Sequence, residues 1–341
     1  MRAGPRCCRG DASGVHPSRD AGTPGADPAP LARGAHPMTV LVAGWVAIDE
    51  IETPFGKAAG QLGGSATCAA LAASLFTDVR LLAAVGDDFP EEFRTLLDRE
   101  RLDLAGLETV RGAQTSRWGA RYGYDMNSRE TLYTVLGVNA NWTPRLPAGW
   151  EGSETVFLAA GAPSLQRRVA EQVTGKRLVM ADTIQFFIDN ARDELLATFR
   201  GVDFVSINES EARQLAETPS IARAARTLLS LGPRGVVVKL GEYGAAFASD
   251  GDYFVLPGYP LEEVIDPTGA GDAFAGAFLG FLDAAGELTP SAIRRAIVYG
   301  STVASFQVEG FGPSRLLRLT RAEVEERYRA FRQLTHFEVA E

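Results

Sequence analysis

Histidine is nearly absent from this chain. Its 341 residues contain three, His16, His36 and His336. A Ser-His-Asp hydrolase would have to take its base from one of these terminal positions, which argues against one. Cysteine is as scarce, with Cys7, Cys8 and Cys68 alone. That excludes a disulfide framework and a Cys/His zinc site within the core. Lysine occurs only at positions 57, 176 and 239, so arginine supplies 31 of the 34 basic residues, a bias of composition. No apolar run is long enough to span a membrane, and a cytoplasmic protein is expected. Basic charge is also short: 34 Lys and Arg face 43 Asp and Glu, a net charge of −9. A nucleic-acid polymer as partner is thereby excluded, because phosphate backbones need a dense basic surface. An enzyme of this composition rests its acid–base chemistry on carboxylates.

What is present is ordinary for a globular protein able to bury a large core: 45% hydrophobic and 23% charged residues. The first 37 residues differ. They hold 6 of the 18 prolines, 6 of the 36 glycines and a charge of +2, which leaves −11 for the rest. They read as a disordered tail, with a transit or interaction segment and a Cys7-Cys8 metal or redox pair as functional alternatives. Met38, just before the strand-like run Thr39 to Gly44, would be a natural start. Residues 38–341 then form one domain without internal repeat or linker.

Within it, β-branched runs alternate with helical segments. Strands are expected at 39–44, 81–86, 155–160, 177–181, 202–207 and 235–240. Helices are expected at 90–99, 164–173, 188–199, 210–216, 219–231 and 289–306. A final helix opens on the capping box Thr320 to Glu323. Such alternation predicts a parallel sheet covered by helices. Residues 48–60 and 113–142 break the pattern. In the second, 117–122 and 131–136 read as a hairpin, either packed on the core or closing over a pocket as a lid.

The segment Asp266-Pro267-Thr268-Gly269-Ala270-Gly271-Asp272 runs straight into an apolar, small-residue helix. Glycines at a helix N-terminus expose backbone N–H groups to an anion, and the helix dipole adds positive character. Asp272 then sits in the first turn, where it either caps the helix or acts as a base. A carboxylate beside a phosphate site costs electrostatic energy unless it has a task. In phosphoryl transfer to an alcohol, an aspartate can take the hydroxyl proton while amides stabilise the transferred group.

This heptad resembles the signature of the ribokinase-like (PfkB) carbohydrate and nucleoside kinases, with Pro267 in place of the usual threonine. Four further segments fit the resemblance in order: Gly63-Gly64, Val85-Gly86-Asp87-Asp88, Asn208-Glu209-Ser210-Glu211, and Val238-Lys239-Leu240-Gly241-Glu242-Tyr243-Gly244. It covers residues 39–335. It implies a three-layer α/β/α ribokinase-like fold with a mostly parallel central sheet and a small β lid built from about 48–60 and 113–142. It implies Asp272 as base and Gly269, Ala270 and Gly271 as an anion hole. It implies Asp49, Gly63, Gly64 and Arg129 on the substrate, and Asn208, Lys239, Gly241, Gly244 and Thr268 on ATP. Glu211 would organise Mg²⁺, and there is room for a monovalent cation such as K⁺.

Plainer roles stand beside these. Asp49 could cap a turn, Gly63-Gly64 could serve packing alone, and Glu211 and Lys239 could be solvated. Asp182 could face the cleft or cap the next segment. The family's sugar-binding members often carry asparagine where this chain has Cys68, which cannot supply the same hydrogen bonds and fits a buried small residue. Trp118, Tyr122, Tyr124 and Tyr133 could stack on a base or pack within the lid. The expectation is an ATP- and Mg²⁺-dependent kinase acting on a primary hydroxyl of a small molecule, a nucleoside or sugar. A homodimer through the lid is consistent with the resemblance. The alternatives are a sugar or sugar-phosphate kinase, with Arg121 or Arg129 as clamp, and a non-catalytic ligand-binding or regulatory protein. A nicotinamide oxidoreductase lacks its Gly-x-Gly-x-x-Gly turn.

Overall fold

The computed structural model describes residues 39–336. The expected tail, Met38, Cys7, Cys8, His16 and His36 lie outside the described residues. In chain order come β1 (Thr39–Ala43), β2 (Ala47–Thr53), β3 (Gly56–Gly63), α1 (Ser65–Ala73), β4 (Asp78–Gly86) and α2 (Glu91–Leu97). The short β5 (Leu102–Asp103) and β6 (Leu107–Val110) precede β7 (Ser116–Tyr122) and β8 (Arg129–Val135). Next are β9 (Thr155–Leu158), α3 (Pro163–Gln172), β10 (Leu178–Ala181), α4 (Gln185–Asn190), α5 (Arg192–Phe199) and β11 (Phe204–Asn208). Then follow α6 (Glu209–Leu215), α7 (Ile221–Leu229), β12 (Gly235–Lys239), β13 (Ala245–Ser249) and β14 (Asp252–Leu256). The chain closes with α8 (Ala270–Ala285), α9 (Pro290–Gln307) and α10 (Arg321–Thr335).

Strand alternation sorts the core into two halves. Val40 and Val42 of β1 face one side with Phe157, Met180 and Val237, under α1, α8 and α9. Leu41 and Ala43 face the other with Val156, Val179 and Val236, under α3, α5, α6 and α7. The main sheet runs β14-β13-β12-β11-β10-β9-β1-β4-β5, with β6 also on β4. Pairing is parallel from β4 through β12. The edge pair β13–β14, which the sequence pattern does not announce, is antiparallel. The expected three-layer α/β/α architecture is therefore present.

A second sheet, β3-β2-β7-β8, stands apart and combines both irregular segments. The expected helix 188–199 is two helices, broken at Ala191 (φ −146°, ψ 37°). Asp193 and Glu194 fall in the first turn of α5, an N-terminal signature that a single helix would place mid-run. The helix expected from 210 starts at Glu209, because Asn208 and Glu211 form a reciprocal capping box.

Helices α1 and α8 set the site. A Cβ at Gly276 would collide with the Ala69 carbonyl, and one at Gly280 would stand 2.9 Å from Ala73 Cα. The two helices thus touch backbone to backbone. That contact brings their N-termini, at Gly64 and Gly269, to one end of the sheet.

Candidate active site

The turn before α8 supplies the first part of the site. Gly269 is left-handed (φ 75°, ψ 0°), a conformation that lets the chain enter the helix abruptly. Among the described residues no side chain caps α8; the Ala270 N–H donates to the Pro267 carbonyl at 3.3 Å, and the N–H groups of Gly271 and Asp272 stay open at the positive end of a 16-residue helix. Asp272 lies in the first turn, half-buried, and among the described residues its carboxylate has no hydrogen-bond partner. It does not cap the helix. Burial, followed by the charge of Asp182, pushes its pKa up to about 8 against the pull of Lys239.

Across from it, Asp49 of β2 is buried, and its Oδ2 accepts the Gly64 N–H at 3.3 Å. A Cβ at Gly63 would strike that carboxylate, so the glycine makes room for it. The other oxygen, Oδ1, is buried without a partner. Burial raises Asp49 to about 7. Beneath the turn, Cys68 packs its Sγ on Gly269, and burial pushes its thiol well up. It is the buried small residue that its position suggested.

On the far side, Lys239 at the end of β12 is half-buried and pairs with Asp182 Oδ2 at 2.5 Å. It is not a solvated strand end. Burial alone would lower its pKa, but Asp182, then Asp272, outweigh that and hold it high. Its ammonium lies 3.0 Å from where a Cβ at Gly271 would stand, hence beside the open helix end. Asp182 is buried; its Oδ2 also accepts from the Ser206 hydroxyl at 2.7 Å, and its Oδ1 accepts the Thr183 N–H at 2.8 Å. Glu211 is buried rather than solvated. One oxygen accepts the Asn208 N–H at 3.2 Å, while Asn208 Oδ1 accepts the Glu211 N–H at 2.9 Å. Burial raises Glu211 to about 7. Asp182, Glu211 and Asp272 thus crowd around one lysine, and Asp49 lies within charge range of Asp272. Asp49, Glu211 and Asp272 are all pushed upward, and such a concentration of perturbed carboxyls marks a functional site.

The second sheet covers this cluster. The Thr268 hydroxyl donates to Tyr122 Oη at 3.1 Å, joining the glycine turn to β7. Arg129 opens β8 and stacks on Trp118, 5.2 Å from the ring centroid. Arg121 is committed elsewhere, to Glu52 at 2.9 Å, and is no free clamp. Tyr124 is 94% exposed and stacks on nothing. Tyr133 reaches Glu50 at 3.1 Å rather than the cleft. Gly241 and Gly244 lie outside the cluster, in the turn after β12, with positive φ of 61° and 102°. The hairpin tip reaches this turn: Asn127 Nδ2 donates to Glu242 at 3.2 Å. Two residues without an assigned role also emerge. Asp266 is fully buried beneath the turn, and Gln307, which carries no signal in the sequence, is buried beside it.

The model of the pfkB family carbohydrate kinases matches residues 56–318. The chain belongs to this family. It is 30% identical to the cytidine kinase of Thermococcus kodakarensis over 247 residues, 71% of this chain and 87% of that one. Its fold matches the nucleoside kinase of Methanocaldococcus jannaschii with a TM-score of 0.70 at 21% identity, over 86% of this chain and 98% of that one. It also matches a double-mutant fructokinase of Vibrio cholerae with bound fructose, ADP and potassium ion. There the TM-score is 0.70 at 22% identity, over 86% and 99% of the two chains. The protein is a nucleoside or sugar kinase of the ribokinase family, acting on small molecules. Among the described residues no helix is long and apolar enough to cross a membrane.

Proposed function

We propose that this kinase transfers the γ-phosphoryl group of ATP to a primary hydroxyl of a nucleoside, with Asp272 as base. The observation that carries this is Asp272 itself: an unpartnered, raised carboxyl in the first turn of a helix that no side chain caps. Asp49, with one buried oxygen unpartnered, is the group to hold an acceptor hydroxyl, next to Gly63 and Gly64. Asp272 takes the hydroxyl proton as the acceptor oxygen attacks in line. The bond from that oxygen to the γ-phosphorus forms, the bond from the γ-phosphorus to the β-bridging oxygen breaks, and ADP leaves. The amides of Gly269, Ala270 and Gly271, with Lys239 alongside, hold the charge that develops.

Gly241, Gly244, Thr268 and Asn208 serve ATP. The free oxygen of Glu211 is a hard donor of the type Mg²⁺ accepts, completed by phosphate oxygens. Bound Mg²⁺ would neutralise phosphate charge. The second sheet acts as the lid. The outward Leu132, Tyr133 and Val135 of β8 would suit pairing of two lids in a homodimer.

The acceptor is read as a nucleoside from the cytidine kinase relative and from Trp118 and Tyr122 over the cleft. A sugar phosphate is the second reading. It is favoured by Arg129, which among the described residues has no carboxylate within ion-pair distance. ADP release over a panel of nucleosides, pentoses, hexoses and sugar phosphates tests both. Fastest turnover on a nucleoside is expected, and exclusive turnover on a sugar phosphate would replace the first reading by the second.

A further inference from the structure

Gln307 ends α9 and is fully buried. Its Nε2 donates to two backbone carbonyls, Thr268 O and Gly312 O, each at 2.9 Å. The first belongs to the turn that leads into Gly269, the second to the loop after α9. The amide orientation is fixed by its partners. A flip would point Oε1 at two carbonyl oxygens, a repulsive arrangement. Oε1 remains buried and unpartnered, so the side chain accepts a cost to keep its donor where it is.

The same two loops are joined again by Asp266, likewise fully buried. Its Oδ1 accepts the Thr268 N–H at 2.8 Å and its Oδ2 accepts the Gly312 N–H at 3.0 Å. Two carbonyls meeting at one point, with a buried carboxylate on the same two loops, are the ligand types that a hard cation takes. The fructokinase likeness carries a potassium ion, and a monovalent cation is one expectation for this chain. Here the place between the two carbonyls is filled by a neutral amide whose hydrogens carry the positive end of its dipole. The residues present therefore do not fit a bridging K⁺ at this point.

We propose that Gln307 is a positioning residue that orders the Gly269 turn internally, making turnover independent of monovalent cations. The proposal rests on reading Gly269, Ala270 and Gly271 as the anion hole. Its logic is electrostatic. Unclamped, the Thr268 and Gly312 carbonyls would repel one another across the buried gap, and the amides that follow would lose their fixed aim. One buried donor shared between them removes that repulsion without an added charge.

Turnover is measured in K⁺, Na⁺ and tetramethylammonium at equal ionic strength. The wild type is expected to differ by less than about twofold among them. Gln307→Ala vacates the gap and leaves the two carbonyls beside Asp266. Its kcat should fall about tenfold or more in tetramethylammonium and recover severalfold in K⁺, with the acceptor KM little changed. Gln307→Met keeps the bulk without the donor, so it should lose kcat and show no rescue. Thermal melts without nucleotide give a readout independent of activity: K⁺ should raise the Tm of Gln307→Ala alone. If no acceptor were phosphorylated, the kinase reading would fail while these melts still decided the role of Gln307. Severalfold activation of the wild type by K⁺ would overturn the proposal. So would full activity of Gln307→Met, or a Gln307→Ala variant indifferent to K⁺ in both measurements.

Discussion

Asp272 carries the largest share of the proposed chemistry, and its surroundings dictate how it should titrate. A base works ionised, and burial with Asp182 holds this carboxyl at about 8, so kcat/KM should climb as pH rises through that value. Asp182→Asn removes the largest charge opposing ionisation and should move that limb to lower pH. A pH–rate profile unmoved by the substitution would separate Asp182 from the base. Asp272→Asn should lower kcat by about 10²-fold or more while ATP affinity is nearly kept, measured by steady-state kinetics and ATP titration. Unchanged turnover would remove Asp272 from the mechanism. These residues differ in how legible they were. Asp272 and the three residues before it form one contiguous string whose chemistry follows from a helix N-terminus. Lys239 and Asp182 lie 57 residues apart and meet only because β10 and β12 flank β11 in the sheet, so local pattern left both open to plain readings. Gln307 gives no local signal, because its partners are backbone atoms of two loops that only the fold brings together.

At the level of elements, the decisive contact is that of α1 with α8. The sequence showed α8 as a helix of small residues, and the structure supplies the reason: Gly276 and Gly280 let the backbones meet at Ala69 and Ala73. Gly276→Val should force the helices apart and destabilise the fold by about 1–3 kcal/mol, read from denaturant midpoints. Because the same contact aligns Gly64 with Gly269, activity should fall in the variant even where it remains folded. An unchanged midpoint with unchanged turnover would mean the helices can slide freely. The second sheet was legible as a break in strand–helix alternation, and the hairpin expected from 117–122 and 131–136 is the β7–β8 pair. Its reach was not legible, since the Asn127 to Glu242 bond joins segments remote in the chain. Asn127→Ala should raise the KM for ATP about threefold, the scale of one exposed hydrogen bond, and leave the acceptor KM alone. The antiparallel β13–β14 pair escaped notice because short edge strands carry little periodic signal, and Tyr253 and Val255 face solvent.

For the whole molecule, the clustered carboxylates set a pH dependence of stability opposite to the usual acidic-protein pattern. Asp49, Glu211 and Asp272 rise from ordinary values of 3.8, 4.5 and 3.8 to about 7, 7 and 8. A carboxyl raised on folding favours the folded state fully below its unfolded value, and this contribution is lost as pH rises through its folded value. All three therefore weaken the fold between about pH 4 and pH 8. Glu323, held at about 2 by its capping hydroxyl and Arg315, acts the other way, and its contribution is lost between pH 4.5 and 2. It is largely exposed, so solvent screening keeps its effect small. The Tm should accordingly be highest near pH 4 to 5 and decline from there to about pH 8. Asp272→Asn cannot ionise and should flatten this decline, with a Tm above wild type at pH 8.5 and close to it at pH 4. Melting curves across that range decide the matter: parallel curves for the two proteins would mean that Asp272 ionises in the fold as it does in water. The net charge of −9 gives the same answer at longer range. A chain with excess negative charge gains nothing from ionising Asp49, Glu211 and Asp272, so their retention is a cost in stability that the proposed phosphoryl transfer explains.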